Sequence, residues 1–191
     1  MKFSAVFLDR DGTLNEDPGY LGDSEKVVLF PEVGEALNIL KNKLNFKLIV
    51  VSNQSGIARG LISRDDVISV NNKINSLLHQ FSVQIDEFYF CPFHPEFNSE
   101  DECACRKPSP NMIFEAAKKH NIDLATSYMV GDSASDVECG INANVKTILV
   151  LTGYGKEHIS LLQNENKIPN FVASNMLEAA SFINKDLSGV D

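Results

Sequence analysis

The sequence predicts an α/β fold, a doubly wound parallel sheet with helices on both faces. Three observations carry this. Short apolar runs alternate with helix-patterned stretches along the chain, which is how βαβ units read. Several of those runs stop abruptly at polar clusters, as buried strands do at the carboxyl edge of an open sheet. With 191 residues, 43% hydrophobic and 23% charged, the chain has the size and composition of one globular domain spanning 1–191.

The first run, Ala5 to Leu8 behind Ser4, is too short for a helix and ends at Asp9-Arg10-Asp11-Gly12. It reads as a central strand. A polar loop over 15–20 has turn chemistry at Asp17 to Gly19. It is too short to be a further domain, so no large cap is expected. Pro31 opens a helix whose Val33, Leu37, Leu40 and Leu44 share one face. A strand over 46–51 ends in Ser52-Asn53-Gln54, a helix follows over 63–79, and a third strand covers 85–90. An irregular loop over 91–107 holds three of the four cysteines. Further elements are a helix over 110–120, a strand over 128–130, a helix over 137–143 and a strand over 147–151. After a glycine-marked loop over 153–155 come a strand at 171–172 and a helix over 177–183.

A net charge of -9 argues against a nucleic-acid or anionic-membrane partner, which needs a basic face. No stretch reaches transmembrane length, and the first apolar run is cut by charges too early for a signal peptide. A cytoplasmic monomer acting on a small molecule is the expectation. Three clustered cysteines in such a chain point to a metal rather than to disulfides.

Asp9 and Asp11, two apart on an extended chain, face one site. Two adjacent carboxylates repel unless a cation lies between them, and hard oxygen donors suit Mg2+. Ser52/Asn53 and Asp132/Asp136 stand at other strand ends, and Arg106-Lys107-Pro108 follows the cysteine loop. A parallel sheet brings these sets to one edge. Acids for a metal, hydroxyl and amide donors, and fixed cations together match phosphoryl transfer.

Asp9-Arg10-Asp11-Gly12-Thr13, Ser52-Asn53, Lys107-Pro108 and Gly131-Asp132-Ser133-Ala134-Ser135-Asp136, in that order, resemble the four motifs of the haloacid dehalogenase (HAD) phosphatase superfamily. The resemblance covers roughly residues 3–150 and implies a HAD-like Rossmannoid fold. It also implies that Asp9 is a nucleophile forming an aspartyl-phosphate and Asp11 a general acid and base. Ser52 and Asn53 are implied to bind phosphate oxygens and Lys107 to neutralise charge. Asp9, Asp132 and the backbone carbonyl of Asp11 are implied to hold Mg2+, with Asp136 orienting water or Lys107.

Cys91-Pro92-Phe93-His94 and Cys103-Ala104-Cys105 resemble the zinc loop (91–105) of the histidinol-phosphatase/heptose-bisphosphatase subgroup. That implies structural Zn2+ on Cys91, His94, Cys103 and Cys105, and a phosphorylated sugar as substrate. Heptose 1,7-bisphosphate cleaved at C7 is the first expectation and histidinol phosphate the second. Two positions depart from the subgroup: Phe93 stands where its histidine falls, and Ser133 where the heptose enzymes carry lysine. Arg10, Gln54, Arg59 and Arg106 are the implied substrate contacts, Arg59 and Arg106 suiting a second phosphate. Cys139 reads as a core residue, His79, His120 and His158 as surface histidines, and Tyr154 as a loop aromatic that packs or touches substrate.

Overall fold

The computed structural model describes residues 2–189. The single-domain reading also took in residues 1, 190 and 191, which lie outside the described residues. Six strands form one sheet: β1 (Ala5–Leu8), β2 (Lys47–Asn53), β3 (Glu87–Cys91), β4 (Tyr128–Gly131), β5 (Lys146–Val150) and β6 (Phe171–Ala173). Their order is β3-β2-β1-β4-β5-β6 and every pair is parallel. The chain therefore changes direction of winding between β1 and β4, the point where open α/β sheets place their ligands.

Strand alternation builds two cores. Val6 and Leu8 of β1, Leu48 and Val50 of β2, and Val130 of β4 join one cluster. Their neighbours Phe7, Ile49, Val51 and Met129 join the other. Successive side chains on a strand point to opposite faces, so strands buried on both sides read as continuous apolar runs. Helices α1 (Val33–Asn38), α2 (Arg64–Leu78) and α6 (Met176–Ser188) cover the first face with Leu37, Ile74 and Ile183 among others. Helices α3 (Asn111–His120) and α4 (Ala134–Asn142) cover the second with Met112, Ile113 and Cys139.

The predicted elements are present with shifted ends, and two differences have clear causes. The helix expected from Pro31 through Leu44 is α1 followed by a π-helical turn, Ile39–Lys43, with Asn45 at φ 60 turning the chain into β2. A helix absent from the sequence reading, α5 (Gly155–Asn164), follows the glycine-marked loop. Of its apolar side chains Leu162 alone is fully buried, with Ile159 packed partly beside it. One buried contact leaves too faint a periodicity to read. Among the described residues no helix is long and apolar enough to cross a membrane.

Candidate active site

The carboxyl ends of β1, β2 and β4 and the segment entering α3 surround a cavity of about 330 Å³. Asp9, Asp11, Ser52, Asn53, Gln54, Arg106, Lys107 and Asp132 all line it. The Asp9 backbone N–H donates to Val130 O at 2.9 Å, prolonging the β1–β4 ladder by one residue. That ladder sets Asp9 beside Asp132, which follows β4 directly. Gly12, at φ +82, lets the chain turn under Asp132; a Cβ there would lie 2.2 Å from an oxygen of that carboxylate.

Lys107 is the electrostatic centre. It is 4% exposed, and its Nζ donates to Asp9 Oδ1 at 2.6 Å and to the Val51 carbonyl at 2.8 Å. An ion pair of 2.6 Å joins it to Asp136 Oδ1. Burial alone would lower the lysine pKa, but Asp136 and Asp9 outweigh it and the ammonium is held more firmly than usual. Asp136 is itself held by Ser133, whose backbone N–H and hydroxyl donate to its Oδ2 at 3.0 and 2.6 Å. Burial pushes Asp9 well above the usual carboxylate range, with Lys107 opposing and Asp136 and Asp132 adding to the rise.

Asp9, Asp132 and Asp136 each offer a carboxylate oxygen, all within 4.8 Å of one another and all buried. Three acids crowded against one lysine have a deficit of positive charge, and their hard oxygens fit a Mg2+-sized cation. Of the three, Asp136 is already engaged by Lys107 and Ser133. Asp9 and Asp132 are therefore the side chains left for a metal.

Comparison with known proteins bears on the chemistry. A D-glycero-D-manno-heptose-1,7-bisphosphate 7-phosphatase of Chlorobaculum tepidum is 37% identical over 185 residues, covering 92% of both chains. The Escherichia coli K12 D-glycero-beta-D-manno-heptose-1,7-bisphosphate 7-phosphatase is 42% identical over 153 residues, 78% of this chain and 80% of that one. Residues 104–179 match the HAD-hydrolase-like family. The chain belongs to the HAD-like phosphatases. A solved structure of a heptose bisphosphate phosphatase from B. bronchiseptica, complexed with magnesium and phosphate, superposes on this phosphatase with a TM-score of 0.84. The two are 27% identical, over 96% of this chain and 99% of that one.

Within this phosphatase several sequence expectations need correction. Arg10 does not line the cavity: it is 1% exposed and its guanidinium is taken up by Asp11 and by α2. Its Nε and Nη2 donate to the Asp11 carboxylate, Nη2 at 2.8 Å, and Nη1 donates to Asn71 of α2 at 3.1 Å. Asn15 and Gln54 also donate to Asp11, at 2.9 and 2.8 Å. Asp11 is thus oriented by three residues, of which Asn15 was not singled out in the sequence. Asn53 lines the cavity and also places Lys107: its amide accepts from Lys107 N–H at 3.0 Å and donates one N–H to Lys107 O at 3.1 Å, which leaves the second N–H to donate. The Ser52 hydroxyl accepts from Gln54 at 2.8 Å, which leaves its proton to donate.

Arg59 also lies away from the cavity lining. It donates to Glu96 at 3.0 Å, meets His94 Nε2 at 3.3 Å and stacks over Phe97. The cysteine loop expected to hold zinc stands here in its oxidised form. Cys91, at the end of β3, and Cys105 form a disulfide with Cα atoms 5.5 Å apart. A disulfide sulfur is not a thiolate, and the imidazole of His94 is engaged by Arg59 and by Glu96 N–H. Cys103 alone remains as a free thiol of the loop, too few donors for a closed four-coordinate site. The reading of clustered cysteines as metal ligands rather than a disulfide is corrected for this oxidised form. Of the other residues, His79 is exposed and Cys139 buried as expected. His120 pairs with Glu87, and His158 accepts a hydrogen bond from Ala134 N–H at 3.2 Å, so neither is a merely solvated histidine.

Asp132 gives a pH-dependent expectation. Burial first, and the charge of Asp136 second, push it up to about 7, against about 3.9 in an unfolded chain. A carboxyl raised in the folded state contributes stability that is complete below the unfolded value and is lost as pH rises through the folded one. The metal-free protein should therefore melt lower at pH 8 than at pH 5, at about 2–4 °C per kcal/mol for a chain of this size. Mg2+ should recover more of the melting temperature at pH 8, since the cation replaces the proton. A metal-free melting temperature that climbs over that range would refute the assignment.

Proposed function

We propose that the protein hydrolyses a phosphorylated sugar, heptose 1,7-bisphosphate at C7, through an aspartyl-phosphate on Asp9. The observation that carries this is the buried Lys107 braced between Asp9 and Asp136 at 2.6 Å each, with Asp132 alongside. The names of the relatives support the substrate.

With Asp9 Oδ1 held by Lys107, Oδ2 attacks phosphorus in line with the departing C7 oxygen. Asp11 protonates that oxygen, then takes a proton from the water that attacks the aspartyl-phosphate, releasing phosphate and restoring Asp9. Arg10, Asn15 and Gln54 hold Asp11 in place for both transfers. Ser52 donates its hydroxyl proton to a phosphoryl oxygen. Asp9, Asp132 and the Asp11 carbonyl would hold Mg2+, which when bound offsets the charge of the phosphoryl group. With the Cys91–Cys105 bond reduced, Cys91, His94, Cys103 and Cys105 would supply the four donors of a structural Zn2+ site. We further infer that the whole chain acts as one unit, as a cytoplasmic monomer with no nucleic-acid or membrane partner.

Only one cation of the cavity remains for a distal phosphate. Arg106 lines it and donates from Nη1 to the Phe93 carbonyl at 3.3 Å, leaving further N–H groups to bind. One observation favours histidinol phosphate as a second reading: Asp17 also lines the cavity and suits a distal amine. The two are separated by steady-state kinetics with both substrates. We expect a higher kcat/KM with the bisphosphate. Arg106→Ala should cost about 1.5–3 kcal/mol more on it than on a monophosphate. A higher kcat/KM with histidinol phosphate would move the second reading ahead.

A further inference from the structure

The cavity is lined by acids, amides, serines, glycines, Arg106 and Lys107, with no valine, leucine, isoleucine, methionine or phenylalanine among the described residues. Its only apolar faces belong to two tyrosines, Tyr20 from the β1–α1 loop and Tyr154 from the β5–α5 loop. Both are 48% exposed. We propose that Tyr20 and Tyr154 are specificity-determining residues, two braced aromatic walls against which the apolar C–H faces of the sugar pack. The inference rests on the sugar-phosphate reading above and names what in the cavity reads the carbon skeleton.

The chain's four tyrosines divide into two kinds. Tyr89 donates its hydroxyl to Glu87 at 3.1 Å and Tyr128 donates to Asp186, so both are tied into the fold. Neither the Tyr20 nor the Tyr154 hydroxyl has a hydrogen-bond partner among the described residues. A half-exposed ring at the mouth of a polar cavity is nevertheless held firmly in each case. Tyr20 lies against Gly56, where a Cβ would come within 2.8 Å of its Cδ1, so the absent side chain makes the ring's seat. Tyr154 stacks on His158, with centroids 5.9 Å apart and planes inclined by 25°. His158 is in turn fixed by Ala134 N–H, and the Tyr154 backbone N–H donates to Asp132 Oδ2 at 2.8 Å. The second wall is thus anchored to the metal-side carboxylate through the backbone, so changing its side chain leaves that bond in place. An aromatic face carries negative charge density and attracts the slightly positive C–H hydrogens of a sugar, while the ring excludes water from them. Arg106 and Asp17 can read a charge at the far end of the substrate; these rings are what meet its carbon skeleton.

The test compares heptose 1,7-bisphosphate with acetyl phosphate, which offers a phosphoryl group to Asp9 on a small acyl leaving group with no sugar. In Tyr20→Ala and Tyr154→Ala the ratio of kcat/KM for the two substrates should fall by about tenfold each, through KM for the sugar. Tyr20→Phe and Tyr154→Phe should keep the wild-type ratio, because the ring face is what binds. Tyr20→Leu and Tyr154→Leu fill the space without a flat ring and carry the alanine expectation should an alanine variant fold poorly. A wild-type enzyme without preference for the bisphosphate overturns the functional reading and the tyrosine proposal with it. A wild-type preference that survives the alanine and leucine changes, or that phenylalanine destroys equally, overturns the tyrosine proposal alone.

Discussion

Asp9→Asn is expected to abolish turnover while leaving the fold intact. The amide cannot attack phosphorus, and loss of a covalent nucleophile falls on the order of 10⁴-fold or more in kcat. The structure explains why folding should survive. An asparagine oxygen can still accept from Lys107 Nζ, and Lys107 keeps its ion pair with Asp136 and its bond to the Val51 carbonyl. The substitution also removes a carboxylate that burial has already forced well above its usual range, so melting temperature should hold or rise. Two measurements check the expectation: single-turnover formation of a phosphorylated protein, absent in the variant, and thermal melting. Substantial residual turnover would take Asp9 out of the nucleophile's role.

Lys107→Met should have the second large effect, and it should differ in kind. Asp9 and Asp136 would lose the one cation between them while remaining 8% and 1% exposed. Removing one partner of a buried ion pair costs about 3–5 kcal/mol, since the surviving charge has no compensation. Activity should be lost as well, because the Asp9 carboxylate is no longer held for attack. The stability loss has a pH signature. Without Lys107 the carboxyls are raised further, so the variant's deficit should narrow as pH falls and they take up protons. Urea unfolding at pH 7.5 and pH 5.5 reads this directly. A deficit that is small at pH 7.5, or that widens on acidification, would show that Lys107 does not neutralise the pair. The two variants together separate the chemical role of Asp9 from the structural one of its partner.

Much of this site was legible along the chain. The Asp9, Ser52 and Asp132 motifs sit where an apolar run breaks, and in a parallel sheet all such breaks meet at one edge. These three were therefore readable as residues of one cavity from the strand ends they follow or terminate, whereas Lys107, beyond the cysteine loop, was readable only from the motif it resembles. The alternation of apolar residues also set which face each strand residue buries.

Other features depend on distances between segments remote in sequence, which a local pattern does not encode. Arg59 has a guanidinium suited to phosphate, yet Glu96, 37 residues on, claims it. Asn53 has the donors of a phosphate ligand, yet its oxygen and one of its two N–H groups are used on the backbone of Lys107, 54 residues away. Cys91 and Cys105 come within bonding reach because one ends a strand and the other closes a turn returning to it. Four soft ligands in one loop looked the same in sequence as two of them bonded to each other. Tyr154 follows a similar rule, since its setting depends on a helix that buries a single apolar side chain fully and so leaves almost no periodic trace. Residue chemistry and strand periodicity thus specified which groups reach the site, while folding decided which of them remain free to act there, because a side chain's availability depends on the partners that distant segments bring to it.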